Sequence, residues 1–201
     1  MTNHYYSRNP EVESKPEQWS FTLRGKEFRF KTDAGVFSKR EVDFGSRLLI
    51  EAFECSLEED QPIIDIGCGY GPIGLSVASL YPNKTIHMVD VNARAIDLSK
   101  ENAHTNGIAN VKVYESSVFS AVKEASFAAV ISNPPIRAGK KIVHEILEES
   151  KRFLADGGEL WIVIQKKQGA PSAMAKMEEV FGNVEVVLKK KGYYILKSKK
   201  V

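Results

Sequence analysis

Between residues 63 and 74 a β-branched run, Ile63-Ile64-Asp65-Ile66, gives way to Gly67, Gly69 and Gly71 at alternate positions, followed by Pro72 and Gly74. Glycines at that spacing supply positive φ angles and let a ligand lie against bare backbone. Pro72 suits the first turn of a helix, where its missing N–H costs nothing. The run Gly69-Tyr70-Gly71-Pro72-Ile73-Gly74 also satisfies the GxGxxG pattern of dinucleotide sites, a weak signal on its own. Two neighbours argue against a pyrophosphate. Asp65 sets a negative charge just ahead of the first glycine, and Pro72 removes one of the N–H groups a phosphate would use. An acid in that place suits a ligand carrying cationic groups, such as an ammonium and a sulfonium. Asp90 ends the next apolar run, where its carboxylate can accept both hydroxyls of a ribose or simply close a turn. Asn133-Pro134-Pro135 ends a third run with polar chemistry that a fold does not need.

Something must hold these three places together. From Ile63 the chain alternates strand-like and helix-like stretches: strands over 63–66, 85–89, 111–114, 127–131 and 159–164, and helices over 73–80, 93–105, 119–125, 142–154 and 173–181. Asn92 is an N-cap for the second of those helices, and Asp156-Gly157-Gly158 marks a break before the strand at 159. Strands alternating with helices at this spacing predict an α/β fold, a doubly wound, seven-stranded, mostly parallel sheet. The last two strands, 184–188 and 193–197, follow too closely for a helical crossover and are expected to pair antiparallel at one edge. Ahead of this domain, residues 19–32 alternate around a Gly25-Lys26 turn and predict a small β-hairpin with one apolar and one basic face. A helix over 41–55 follows it. The expected division is therefore an arm and hairpin over 1–40 and the main domain over 41–201. In an open α/β sheet ligands bind beyond the carboxyl ends of the strands, at the switch point. All three chemical groups fall at such ends.

Composition narrows the classes. No apolar run approaches the ~20 residues of a membrane span, and the first residues carry no signal-peptide core. A cytoplasmic, non-membrane protein is the expectation. Cys55 and Cys68 have no metal-ligand spacing, nor do His4, His87, His104 and His144, so no metal site is expected. A net charge of +2 says little. Its distribution says more, with cations gathered at 24–31, 137–141, 166–167, 189–191 and 197–200. Such clusters are either solvated faces or a rim that attracts phosphates.

Asp65-x-Gly67-x-Gly69-x-Gly71 resembles the first motif of class I S-adenosylmethionine-dependent methyltransferases. Asn133-Pro134-Pro135 resembles the (N/D/S)PP motif of those that methylate amino groups. With Gly35-Val36-Phe37-Ser38, the chain from about Tyr5 to Ile195 is most similar to the RsmC-like ribosomal-RNA guanine-N2 methyltransferases of the small subunit. That resemblance implies a Rossmann-like methyltransferase fold with S-adenosyl-L-methionine as cofactor, held by Asp65, Gly67, Gly69, Gly71, Asp90, Ser117 and Asn133. It implies catalysis by Asn133, Pro134, Pro135 and Ile136 on an exocyclic amino group, guanine N2 of 16S ribosomal RNA. Such an amino group is a poor nucleophile because its lone pair is delocalised into the ring. The Asn133 side-chain carbonyl and the Pro134 backbone carbonyl can hold both N–H bonds and turn the lone pair toward the methyl donor. The prolines keep those acceptors preorganised.

Substrate contacts are expected from Phe37, Arg137, Lys140, Arg24 and Arg29, with ribosomal RNA or the small ribosomal subunit as partner. The sequence leaves the oligomeric state open, and a monomer is compatible with it. The family position after the two prolines is usually aromatic, and here it is Ile136; Phe37 and Tyr70 are the alternative rings. Larger relatives carry a further degenerate domain, and the basic hairpin over 20–31 is the expected substitute for its RNA-positioning role. The same Asn-Pro-Pro device serves protein glutamine-amide and DNA adenine methyltransferases. A non-catalytic RNA-binding module of the same fold is the remaining alternative.

Overall fold

The alternation seen from residue 63 onwards builds one seven-stranded sheet in the computed structural model, which describes residues 8, 13–36, 41–57 and 60–201. The elements in chain order are β1 (Glu17–Leu23), β2 (Lys26–Thr32), α1 (Phe44–Ala52), β3 (Ile63–Ile66), α2 (Pro72–Leu80), β4 (Ile86–Asp90), α3 (Ala93–Thr105), β5 (Val111–Glu115), β6 (Phe127–Ser132), α4 (Lys140–Phe153), β7 (Leu154–Gln165), α5 (Ala170–Phe181), β8 (Glu185–Lys190) and β9 (Tyr193–Lys199). The sheet order is β5-β4-β3-β6-β7-β9-β8, parallel except where β9 pairs with β7 and β8. The direction of strand order reverses between β3 and β6, which are direct neighbours in the register Ile66↔Ser132.

Alternate residues along the central strands feed opposite faces. Ile63, Ile131 and Val163 join the cluster under α1, α2 and α3, whereas Ile64, Val130 and Ile162 join the cluster under α4 and α5. β3 and β6 are buried throughout, which is why their sequences read as unbroken apolar runs rather than alternating ones.

The N-terminal hairpin is not appended to this layer but packed into it. Leu23, Phe28 and Phe30 belong to the same cluster as the sheet's first face. Its turn is Arg24-Gly25, both at positive φ (47° and 79°), one residue earlier than the sequence suggested. That geometry matches the twist of a two-residue hairpin. Along the outer edge of β2, side chains of α3 replace a neighbouring strand. Asn102 accepts from Lys31 N (2.7 Å) and donates to Lys31 O (3.0 Å), and one turn later Asn106 does the same for Arg29 (2.9 and 2.7 Å).

Three local expectations are corrected. The first helix begins at Phe44 rather than 41 and stops at Ala52, because Asp43 caps it by accepting from Gly45 N and Ser46 N. No helix forms over 119–125. Val118 sits at φ 51°, and Ser116 Oγ donates to Val118 O and accepts from Ala121 N, so the stretch closes as a turn. Phe119 and Val122, whose spacing suggested a helix, are still both buried. Asp156-Gly157-Gly158 is a bulge inside β7 rather than a break: Phe127 pairs with Leu154 and Ala129 with Glu159. A Cβ on Gly158 would lie 2.8 Å from Phe127 O, so only glycine lets β6 pass that bulge.

Candidate active site

At the carboxyl ends of the parallel strands, on both sides of the switch point, lies a cleft of about 400 Å³. Its floor is the loop after β3. Gly67 N and Cys68 N both donate to Val89 O (2.8 and 2.9 Å), so the loop is tied to the end of β4. Gly69 N donates to Asp90 Oδ2 and Asn92 N to Asp90 Oδ1, each at 2.9 Å. Ser99 Oγ holds Gly69 O (2.8 Å), and Asn102 Nδ2 holds Tyr70 O (2.9 Å). Gly69 is left-handed (φ 58°) with open space where a Cβ would stand, so its backbone faces the cleft bare. Gly71, also left-handed at φ 103°, is buried instead, and a Cβ there would meet Met88 Cε at 2.9 Å.

The two acids act differently. Asp90 lines the cleft half-buried, and with Gly69, Val91 and Asn92 as backbone donors its carboxylate, with about four lone-pair sites, still keeps acceptor capacity. Burial raises its carboxyl above the ordinary range, against the pull of its backbone donors. Asp65 lies beneath the loop and does not line the cleft. Its Oδ2 accepts from Gly74 N (2.9 Å) near the start of α2, and its Oδ1 is buried with no partner among the described residues. Burial, and secondarily the charge of Asp90, push its carboxyl up to about 7. Asp65 therefore sets the loop and the local field rather than touching a ligand in the cleft.

Across the switch point, Ser132 Oγ donates to Ile66 O (2.8 Å) and brings Asn133-Pro134-Pro135 beside the glycine loop. Pro135 Cδ stands 4.0 Å from where a Gly67 Cβ would be. The Asn133 amide is oriented by α1. Its Nδ2 donates to Ser46 Oγ (3.0 Å) and to both oxygens of Asp43 (3.3 Å each). A carboxylate only accepts, so the NH₂ end must face Asp43 and the carbonyl end is left for the cleft. Ser46 Oγ in turn donates to Asp43 Oδ2, which closes the network. Pro134 O accepts no hydrogen bond among the described residues.

The remaining expected site residues sort cleanly. Gly67, Gly69, Ser117, Asn133, Pro134, Pro135, Ile136 and Arg137 line the cleft with Asp90. Ser117 sits at its exposed edge, and Ile136 opens the 3-10 turn 136–138 over the second apolar cluster. Lys140 starts α4 on the same side without lining the cleft. Phe37 lies outside the described residues.

Arg24 and Arg29 are not at the site. Arg24 Nη1 caps the carboxyl end of α1 by donating to Ile50 O (3.3 Å) and Phe53 O (2.8 Å), while the amino end of that helix holds Asn133. Arg29 is bound through its backbone to Asn106, just past the carboxyl end of α3, again opposite the cleft. Nor is Tyr70 a free ring. It is buried edge-on against Trp19 and Phe30, with centroids 5.9 and 5.4 Å away.

The sequence passed over several lining residues: Asp43 and Ser46 from α1, Gln165 and Gln168 after β7, and Tyr193 at the start of β9. Asp43 had a local signal, an acid one residue ahead of an apolar helix. Tyr193 had none, because only the antiparallel course of β9 brings its first residue to the carboxyl end of β7, opposite Gln165. Its half-buried ring stands edge-on to Phe44 (5.4 Å) and against Gly45, where a Cβ would approach it to 2.9 Å. Among the described residues no helix is long and apolar enough to cross a membrane.

Comparison with known proteins places this geometry. The methyltransferase small domain family matches residues 27–197. The uncharacterized protein YbxB of Bacillus subtilis is 62% identical over the full length of both chains. Ribosomal RNA small subunit methyltransferase C of Vibrio cholerae is 31% identical over 92% of this chain and 54% of its own length. Among solved structures, the Thermus thermophilus 16S rRNA N2 G1207 methyltransferase, in complex with AdoMet and guanosine, superposes with a TM-score of 0.83. It is 24% identical, over 96% of this chain and 52% of that one. The chain thus spans about half the length of the ribosomal RNA methyltransferases it matches.

Proposed function

This chain belongs to the methyltransferase small domain family, and from that premise we propose that it methylates an exocyclic amino nitrogen of RNA, guanine N2 of small-subunit ribosomal RNA. S-adenosyl-L-methionine is the methyl donor that this membership supports. The residues present fit it: Asp90 keeps acceptors for a ribose, Gly67 and Gly69 offer bare backbone, and Ser117 is at hand at the cleft edge. When bound, that cofactor supplies an electrophilic methyl group.

The observation that carries the proposal is the orientation of Asn133. With its NH₂ end held by Asp43 and Ser46, its Oδ1 is an acceptor fixed before any substrate arrives. Together with the Pro134 carbonyl it can take both N–H bonds of an amino group and turn the lone pair across the switch point. Such preorganised acceptors typically contribute on the order of 10²–10³ in rate. Alignment of the nitrogen with the cofactor side of the cleft supplies much of the rest. No side chain needs to remove a proton first, since the nitrogen sheds one readily once it is methylated. Ile136 covers the base-side wall with an aliphatic surface, and Tyr193 is the ring the cleft offers in addition.

The test is transfer of labelled methyl to ribosomal RNA from a strain lacking the gene, followed by nucleoside analysis. N2-methylguanosine in the small-subunit RNA is the expected product. Label in protein glutamine or in DNA adenine, with none in RNA, overturns the proposal.

A further inference from the structure

We propose that RNA docks on the rim formed by the end of β7 and the β8–β9 turn, with Lys166, Lys167 and Lys189-Lys190-Lys191 meeting its phosphates beside Tyr193. The inference rests on RNA being the substrate and assigns a surface to it. Three observations converge on that rim.

The first is topology. β7 runs parallel to β6, so Gln165 and the 3-10 turn 166–168 emerge at the cleft. β9 starts and β8 ends at that same place, since Lys190 pairs with Tyr193 and Lys166 N donates to Gly192 O (2.8 Å). The turn Lys191-Gly192, at φ 49° and 80°, therefore lies next to Gln165 and Tyr193, which line the cleft. The second is the state of the charges. These five lysines and Arg137 are exposed, and among the described residues none lies in an ion pair. Several cations elsewhere are engaged, Lys31 with Glu101 (2.8 Å), Lys112 with Glu124 (2.6 Å), Lys176 with Glu148 (3.0 Å) and Lys197 with Glu185 (2.8 Å), and those that are not, such as Arg29, Lys100 and Lys123, do not line the cleft. The third is composition. Residues 133–141, 165–170 and 189–193 contain no Asp or Glu.

An unopposed row of ammonium groups attracts a polyanion and releases its counterions. Two of the lysines are also pinned by rings, Lys189 over Tyr194 (4.7 Å) and Lys191 over Phe44 (5.1 Å), which lowers the ordering cost of binding while leaving the charge available. A strand laid along this rim would present a base to the side of the cleft where Asn133 waits. The hairpin over 20–31, by contrast, turns at the opposite end of the molecule.

The experiment measures binding of a small-subunit ribosomal RNA transcript across a series of KCl concentrations. The proteins are the full chain, a Lys189→Gln/Lys190→Gln/Lys191→Gln variant and an Arg29→Gln/Lys31→Gln variant. The rim variant is expected to lower the slope of log affinity against log salt by about two to three, roughly one for each phosphate it no longer neutralises. The hairpin variant should leave that slope unchanged. Calorimetry with S-adenosylmethionine, expected to be unaltered, shows that both variants are folded. A rim variant with the wild-type slope, or a loss confined to the hairpin variant, overturns the docking surface while leaving methyl transfer to RNA as a separate question. A wild-type chain that binds no transcript, and whose label goes to protein, overturns both.

Discussion

The two sides of the cleft, divided where strand order reverses between β3 and β6, differ in charge and in how they are built. On the β3–β4–β5 side the strand ends offer acids: Asp90 in the cleft, Asp65 beneath the loop and Glu115 at the end of β5. On the β6–β7–β9 side the corresponding ends offer only cations and neutral acceptors. The first side is backbone, with glycine N–H groups spent on Val89 and Asp90. The second is side chain, with one amide clamped from a neighbouring helix. On the proposed reading, a cationic small molecule and a polyanion bind on opposite banks, so neither competes for the other's site. The switch point separates two kinds of strand end as well as two strand orders.

The sharpest way to break this division is at Asn133. Asn133→Ala should lower methyl transfer on the order of 10²–10³-fold while S-adenosylmethionine affinity, by calorimetry, stays within a few-fold. Equal loss of both would make Asn133 a structural residue of the whole cleft. Asp90→Ala acts on the other bank. It should weaken cofactor binding about 10–100-fold, the range for hydrogen bonds to a charged group, and an unchanged affinity would remove Asp90 from the ribose.

Asp43→Asn tests the clamp between the banks. Asparagine is as good an N-cap as aspartate, so melting temperature should barely move. Its amide no longer dictates which end of Asn133 faces the cleft, and kcat should fall roughly tenfold with cofactor affinity retained. Full activity in that variant would show that Ser46 alone orients the amide.

The smallest effect is the pH dependence contributed by Asp65. Its folded carboxyl holds a proton up to about 7, whereas the ordinary value is 3.8. Between those values the folded state binds more protons than the unfolded one, so stability falls as pH rises. Asp65→Asn should flatten that part of a denaturation-versus-pH curve for the cofactor-free protein. A curve identical to wild type would show that the carboxyl is already ionised at neutral pH.

Much of the sheet and half of the cleft were legible because their signals are local. The β-branched run before Gly67, the positive-φ glycines and the prolines after Asn133 each carry their meaning within a few residues. What escaped depends on partners far along the chain. Asp43 is recognisable as a cap from its neighbours, but its hold on Asn133 spans ninety positions and exists only because α1 packs across β7, the strand next to β6. Tyr193 reads as packing until β9 is known to run backwards against β7. Arg24 and Arg29 misled for the same reason: a basic alternating face says nothing about which end of the sheet it will lie against, and here Arg24 caps α1 carbonyls while the Arg29 backbone is held by Asn106, both away from the cleft.

Asn102 gives the outermost element of the chain a remote hold on the innermost loop. The amide that closes the edge of β2 also grips Tyr70 O within the glycine loop. The hairpin therefore works as a latch, although none of its atoms lines the cleft. A proteolytic nick at Arg24-Gly25, or a partner that lifts β2 from α3, would slacken the loop through that one side chain. Cofactor retention would then report on whether the latch is shut.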